Sequence, residues 1–207
     1  IDAIELGLSS DTEMADQIEE LHHFTYVSNS DAHSLKKIAR EYQVIRLLSP
    51  SFVELEKALK GVDGRGIVAN YGLDPRLGKY HRTRCASCFS VIEDFQTGSH
   101  CPECGFKRVI KGVRERLAEL STEPKTLPER PPYIHQVPLE FIPKLGPKTL
   151  DKLLLRFGTE MNVLHKTTKE DLVEVVGKSL AQLIIDARAG KADVETGGAG
   201  RYGRIKG

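Results

Sequence analysis

Four cysteines form two Cys-x2-Cys pairs separated by twelve residues, and they are the only cysteines of the chain: Cys85, Cys88, Cys101 and Cys104. Each pair places two thiolates on one tight turn, and four thiolates make the tetrahedral shell that zinc prefers. Two disulfides, four unrelated buried cysteines and an iron site are the alternatives. No secretory signal opens the printed sequence, so disulfides are not expected. The spacing predicts a structural zinc site with no open position for catalysis.

Asp31 and His33 form a second candidate metal site, shortly after the predicted strand at residues 24–27. At the end of a strand, residues i and i+2 point to the same side. A carboxylate and an imidazole at that spacing can therefore bind one metal ion. The spacing alone is weak evidence, because an exposed turn explains it equally well.

Two glycine turns, 31 residues apart, are each followed by a helical pattern. The candidate DNA-binding residues at these turns are Gly146, Lys148, Thr149, Gly177, Lys178 and Ser179. A glycine turn lets a phosphate approach the backbone, and the N–H groups that begin the next helix face the anion. One such turn would fit a plain pair of packed helices, but two favour a tandem helix-hairpin-helix unit that binds the DNA backbone. Lys144 stands where many such hairpins have their first glycine, and the second turn is one residue tighter.

Basic residues flank the cysteines, namely Lys79, His81, Arg82, Arg84, Lys107, Arg108, Lys111, Arg114 and Arg116. Clustered cations release counterions when they meet DNA, but a solvated surface is an equally good interpretation. The sequence leaves both open.

The composition is that of an ordinary globular protein, with 40% hydrophobic and 29% charged residues. No apolar run reaches the roughly 20 residues that cross a bilayer, so no membrane partner is expected. The net charge of +1 gives no general affinity for nucleic acid, and a DNA interface must depend on local sites. We expect a cytoplasmic protein. Because the sequence opens on an apolar strand pattern without a methionine, we also expect a fragment of a longer chain.

The predicted secondary structure of the segments that carry these residues changes along the chain. Strand patterns occur at residues 3–8, 24–27, 43–48 and 66–69, with a helical pattern at 52–59. Strands alternating with helices predict an α/β domain with mostly parallel pairing.

The second half of the chain begins with a helical pattern at residues 111–120. The prolines between 124 and 138 then predict an extended linker without regular strand pairing. Residues 139–189 are helical throughout, with a predicted capping box at Thr167 and Glu170. Residues 197–207 are glycine-rich and basic, which predicts a flexible tail, although Arg201 and Arg204 would also suit a backbone nest for phosphate.

The segment Ser30-Asp31-Ala32-His33 resembles the last metal-binding motif of the PHP (polymerase and histidinol phosphatase) phosphoesterase domain. Residues 72–81 (GLDPRLGKYH) run into the cysteines, the paired turns follow, and residues 197–203 (GGAGRYG) come last. That order of segments resembles the endonuclease Q family of PHP-domain DNA repair nucleases over essentially the whole chain.

The resemblance implies a metal-dependent endonuclease that cuts the phosphodiester 5′ to deaminated bases and abasic sites. Among the family's catalytic ligand positions, only Asp31 and His33 are matched, and its N-terminal His-x-His has no counterpart in this sequence. Zinc, magnesium or manganese would occupy the complete centre, and we expect this chain alone to be inactive. The alternative is a non-enzymatic DNA-binding module associated with a helicase or polymerase.

The expected architecture is an α/β partial PHP domain, then a small zinc-ribbon-like module and an all-α tandem helix-hairpin-helix domain. The expected boundaries are 1–81 for the PHP part, 82–120 for the zinc module, 121–138 for the linker, 139–190 for the hairpins and 191–207 for the tail.

Overall fold

The computed structural model describes residues 1–94, 96, 98 and 100–206, which form a mixed α/β fold. The strands are β1 (Ala3–Glu5), β2 (Thr25–Val27), β3 (Tyr42–Arg46), β4 (Gly66–Leu73), β5 (Arg84–Cys85), β6 (Val109–Ile110), β7 (Tyr133–Gln136), β8 (Val194–Glu195) and β9 (Arg204–Ile205). The helices are α1 (Thr12–Ala15), α2 (Phe52–Lys60), α3 (Val113–Leu120), α4 (Pro147–Phe157), α5 (Glu160–His165) and α6 (Lys169–Arg188). Single 3-10 turns occur at Glu19–Leu21, Leu35–Lys37, Pro75–Leu77 and Leu139–Phe141.

The strands pair in both senses, so the expectation of mostly parallel pairing is only partly correct. β1 pairs with β2 in parallel, and a separate sheet has the order β3-β4-β7. There β4 is antiparallel to β3 and parallel to β7. Because β4 has a partner on each side, it continues to Leu73, four residues beyond its predicted end. β1 is shorter than predicted, since the chain turns where Ser10 N donates to Gly7 O.

The proline-rich segment ends in a strand, and the prediction of an unpaired linker is wrong there. β7 follows Pro132 and pairs with β4 from Asn70 to Leu73. The prolines lie outside the strand, so their missing N–H groups are not needed for its ladder. Pro132 itself contributes, because its carbonyl accepts from Asn70 N at 3.0 Å.

Arg130 links the proline-rich segment to the N-terminal part of the fold. Its guanidinium pairs with the buried Asp16 at 2.9 Å and lies 3.9 Å from the centre of the Tyr26 ring. It also donates to the carbonyl oxygens of Leu21, His22 and Phe24. The segment is thus held by side-chain contacts as well as by β7.

The largest hydrophobic core joins the end of β4 to the helices. Leu73, Leu139, Leu153 and Ile184 are buried in one cluster, and Ile205 of β9 completes it. The predicted core faces of α4 and α6 are therefore confirmed. The start of α6 is displaced by one residue from the predicted capping box, since it is Thr168 that accepts from Asp171 N, while the Thr167 hydroxyl donates to Asn162 O.

We expect Arg130→Ala to lower the free energy of unfolding by about 3–5 kcal/mol, because it leaves the Asp16 carboxylate buried without its counter-ion. Urea denaturation monitored by circular dichroism measures the change. Arg46→Ala, which removes an exposed arginine from β3, is the matched control and should shift stability by no more than about 0.5 kcal/mol. Equal effects of the two substitutions would contradict the anchoring role of Arg130.

Candidate functional site

The four cysteines converge as the spacing predicted. Their sulfur atoms all lie within 4.8 Å of one another, with Cys85 Sγ 3.7 Å from Cys104 Sγ and Cys88 Sγ 3.6 Å from Cys101 Sγ. Zinc–sulfur bonds of about 2.3 Å in a tetrahedron place the sulfurs about 3.8 Å apart. The same distances exclude disulfides, and all four cysteines are free. The donor set therefore fits a closed zinc site.

The two cysteine turns are built alike, except at the residue after each pair. Gly105 follows Cys104 with φ +70°, and Phe89 follows Cys88 with φ +60°. Glycine adopts this left-handed conformation freely, whereas a bulky side chain is strained in it. The first turn thus presents an aromatic ring at a position where glycine would be less strained.

Asp31 and His33 lie next to each other, but in a loop beyond the strand. β2 ends at Val27, and Asp31 has φ +45°, so the alternation of side chains along a strand does not apply to them. His33 Nδ1 is 2.9 Å from the Asp31 carbonyl oxygen and 3.7 Å from its Oδ1. A carbonyl only accepts, so Nδ1 carries the proton in this bond, and Nε2 is left with a lone pair that could bind a metal.

Both residues line a cavity of about 840 Å³ together with Glu5, Lys79 and Tyr202. In the described part of the chain, no third histidine, cysteine or carboxylate joins them in a compact group of three metal ligands. The pair therefore supplies part of a coordination shell.

Arg40 and Lys79 line this cavity together with Tyr202. The sequence indicated Lys79 only as one of the basic residues around the cysteines, and it indicated no role for Arg40 or Tyr202. Tyr202 Oη accepts from Arg40 Nη1 at 2.8 Å. Lys79 Nζ lies 4.7 Å from the centre of the Tyr202 ring, on which Phe141 packs edge-on. The sequence does contain one signal for Tyr202, because an aromatic ring within a glycine-rich stretch usually packs against other side chains.

The prediction of a flexible tail is wrong, because residues 194–205 are folded against the rest of the chain. β8 and β9 pair as a hairpin. Between them, Gly197 N donates to Arg76 O at 2.7 Å and Gly203 N to Leu77 O at 2.8 Å. A Cβ added at either glycine would collide with backbone atoms, so the close approach depends on both residues being glycine.

His81 is buried where the zinc module begins. Its Nδ1 lies 3.3 Å from the carbonyl oxygen of Ser9, a residue that lines the Asp31–His33 cavity. Burial lowers the pKa of His81 below its usual value, so the neutral form dominates at neutral pH.

In the turn before α4, Lys144 stands where many helix-hairpin-helix turns have their first glycine. Lys144 adopts φ +67°, the conformation that a glycine would supply. Gly146 is the N-cap of α4, and Pro147 is its first residue. Lys148 is exposed and Thr149 is half-buried. A single 3-10 turn precedes this turn, in place of a longer helix.

Gly177 interrupts α6, with φ +77° and ψ 164° between two helical halves. Lys178 and Ser179 are exposed at the start of the second half. Both predicted turns thus place a lysine in solvent within the first turn of a following helix.

Six of the basic residues around the cysteines divide into two groups. Arg82 pairs with Glu93 and Glu115, and Lys111 and Arg116 pair with Glu119. These side chains are occupied in the fold. Lys107, Arg108 and Arg114 are exposed. For these three, contact with DNA phosphates and a plain solvated surface both remain as interpretations.

Among the described residues, no helix combines the length and apolar character that crossing a membrane requires. No protein-family model matches the chain. It is 52% identical over 206 residues to the uncharacterized protein YqxK of Bacillus subtilis strain 168 and covers 53% of that protein. It is 36% identical over 225 residues to the uncharacterized protein MJ0043 of Methanocaldococcus jannaschii and covers 28% of it.

Two solved structures match all of the chain. One is the lesion-specific endonuclease PfuEndoQ from Pyrococcus furiosus, with 38% identity and a TM-score of 0.82. The other is Endonuclease Q in complex with a 27-mer duplex substrate that has an abasic lesion at the active site, with 37% identity and a TM-score of 0.85. The chain is similar to endonuclease Q over its whole length, and it spans 55% of each solved chain.

We expect about one zinc ion per chain to copurify with the protein, and Cys101→Ser to reduce that content, because the shell would lose one of its four thiolates. Elemental analysis measures the metal. Ser87→Ala, which changes an exposed residue in the first cysteine turn, is the control and should retain the zinc. A folded wild-type protein without metal would overturn the assignment. Since the tail packs on this module, Cys101→Ser should also increase amide exchange in residues 197–203.

Proposed function

We propose that this chain is the DNA-binding portion of a DNA repair endonuclease that hydrolyses the phosphodiester 5′ to deaminated bases or abasic sites. The observation that carries the proposal is its similarity over the whole chain to endonuclease Q, of which one structure holds a duplex with an abasic lesion. The chain covers about half of those structures. It would therefore supply the DNA contacts and part of the metal centre, and the remaining ligands would come from the rest of a longer protein.

The two glycine turns would bind the DNA backbone as a tandem helix-hairpin-helix unit. Lys148 and Lys178 are exposed beside helix N-termini, where N–H groups and the helix dipole favour an anion. Such contacts recognise phosphates and carry no sequence information. The first turn has both a left-handed Lys144 and a helix that starts at Pro147. It is the better candidate for the stronger contact.

Asp31 and His33 would be two ligands of the catalytic metal centre. The imidazole offers Nε2 because its Nδ1 is held by the Asp31 carbonyl. Metal ions bound there would polarise the phosphodiester and lower the pKa of a water molecule. The chain's own contribution would be to hold the phosphate near the cationic side chains of Lys37, Arg40 and Lys79, which line the same cavity.

We expect Lys148→Ala to weaken duplex binding more than Lys178→Ala. Each substitution should also make the plot of log affinity against log salt shallower by about one unit, since one phosphate contact is lost. Fluorescence anisotropy with an undamaged duplex at several salt concentrations measures both effects. Lys125→Ala removes an exposed lysine far from either turn in sequence and should change neither quantity. Unchanged binding after both Lys148 and Lys178 are replaced would contradict the hairpin assignment.

We expect this chain alone not to nick DNA, because two ligands leave most of a divalent ion's shell to water. A protein extended to the length of the relatives should nick duplexes containing uracil, hypoxanthine or an abasic site when magnesium, manganese or zinc is added. Gel electrophoresis of end-labelled duplexes identifies the cut and its 5′ position.

In the extended protein, Asp31→Ala or His33→Ala should abolish nicking and leave duplex binding intact, while Glu20→Ala, which changes an exposed carboxylate, should affect neither. Normal cleavage by the Asp31 and His33 variants would remove them from the catalytic centre. An extended protein that binds duplexes but never cuts them would favour the DNA-binding module.

A further inference from the structure

A second cavity, of about 200 Å³, lies where the tail meets the zinc module. Three arginines line it, Arg84, Arg201 and Arg204, and we call it the arginine pocket. Glu195 is the one carboxylate among its lining residues, and it pairs with Arg204 at 2.7 Å. Three positive charges therefore face one negative charge.

Arg84 carries a charge that no carboxylate of the described residues neutralises by an ion pair. Its Nη atoms donate to the carbonyl oxygens of Phe89 and Thr196, and its buried Nε has no hydrogen-bond partner. A partly buried cation without a counter-ion is costly, and an anion in the pocket would offset that cost.

Arg201 is exposed and forms no ion pair with any described residue, but its orientation is set by an aromatic ring. Its guanidinium lies 3.2 Å from the centre of the Phe89 ring. A guanidinium stacked in this way keeps its N–H groups directed outward in a planar fork, the arrangement that binds phosphate oxygens in pairs.

The backbone of Phe89 is strained, which indicates that its aromatic side chain has a role. Its φ of +60° costs of order 1–3 kcal/mol for a bulky residue, whereas Gly105 occupies the equivalent place in the second cysteine turn. The ring contributes the surface on which Arg201 stacks, and a glycine at this place would leave Arg201 without it.

We propose that the arginine pocket binds a phosphate of the DNA backbone, adjacent to the phosphate that enters the Asp31–His33 cavity. This inference rests on the proposed function. Tyr202 lines both cavities, so the cavities adjoin and would hold neighbouring phosphates of one strand. Gly197 and Gly198 form the wall of the pocket, and a side chain at either would collide with the backbone behind it. The pocket is therefore formed before DNA arrives.

The test is duplex binding by the 207-residue chain at several salt concentrations, with Arg201→Gln, Arg201→Lys and Phe89→Gly. Arg201→Gln should weaken binding several-fold and make the salt dependence shallower by about one unit. Arg201→Lys keeps the charge and should retain the slope. Phe89→Gly should retain zinc and stability, because it relieves the backbone, and still weaken binding. Arg46→Ala, an exposed arginine outside the pocket, should match the wild type.

The outcomes separate this inference from the proposed function. A wild-type chain that fails to bind duplex at low salt would reject the DNA-binding role itself. If the wild type binds and loses affinity on Lys148→Ala, but Arg201→Gln leaves the slope unchanged, the arginine pocket is not a DNA contact. Inorganic phosphate is the second source of the same chemistry. If it raises the melting temperature of the wild type but not of Arg201→Gln, while duplex binding by the two is identical, the occupant is a free anion and the inference is overturned.

Discussion

Backbone packs directly on backbone at Gly78, Gly197 and Gly203, and the arrangement of the candidate site depends on this close approach. A Cβ at Gly78 would collide with Leu8 and Ser9, and a Cβ at Gly197 would collide with the carbonyl of Gly78. The loop after β1, the segment after β4 and the tail therefore lie in successive contact. The same contacts bring Tyr202 into the cavity that holds Asp31 and His33.

The zinc module is coupled to this arrangement at both of its ends. At its start, Arg82 N donates to Gly197 O at 3.1 Å. At its end, Val113 N of α3 donates to Tyr80 O at 2.7 Å. A zinc ion bound by the four thiolates would have no open position for a substrate, so its role would be structural. By holding the first cysteine turn, it would set where Arg84 and Phe89 meet the tail.

The two cavities differ in the charge of the residues that line them. The Asp31–His33 cavity contains carboxylates beside lysine and arginine, a mixture suited to a metal ion and a phosphodiester together. The arginine pocket has an excess of guanidinium groups and no metal-binding pair. Tyr202 lines both cavities, and its hydroxyl accepts a hydrogen bond from Arg40. The net charge of +1 conceals this separation, because acidic residues elsewhere balance the local excess.

The convergence of the four cysteines, the core faces of α4 and α6, and the two glycine turns could be predicted from the sequence. Each depends on short-range spacing: two thiolates on one turn, or apolar residues every three to four positions. Asp31 and His33 lie together as predicted, but the strand geometry invoked for them does not apply, because the loop conformation after Val27 is set by contacts such as Arg40 with Ser30 O.

The sequence by itself determined the local chemistry of this protein, which is a closed thiolate site, lysines beside glycine turns, and an Asp-x-His pair. Only the tertiary structure decided that β7 joins the sheet, that the tail is folded, and that Tyr202 and the arginines line two adjoining cavities. Those features depend on partners far away along the chain, 63 residues for Asn70 and Tyr133 and 162 residues for Arg40 and Tyr202. A strand partner or a glycine contact at that separation leaves no periodic pattern in the chain, because it depends on which surfaces meet after folding.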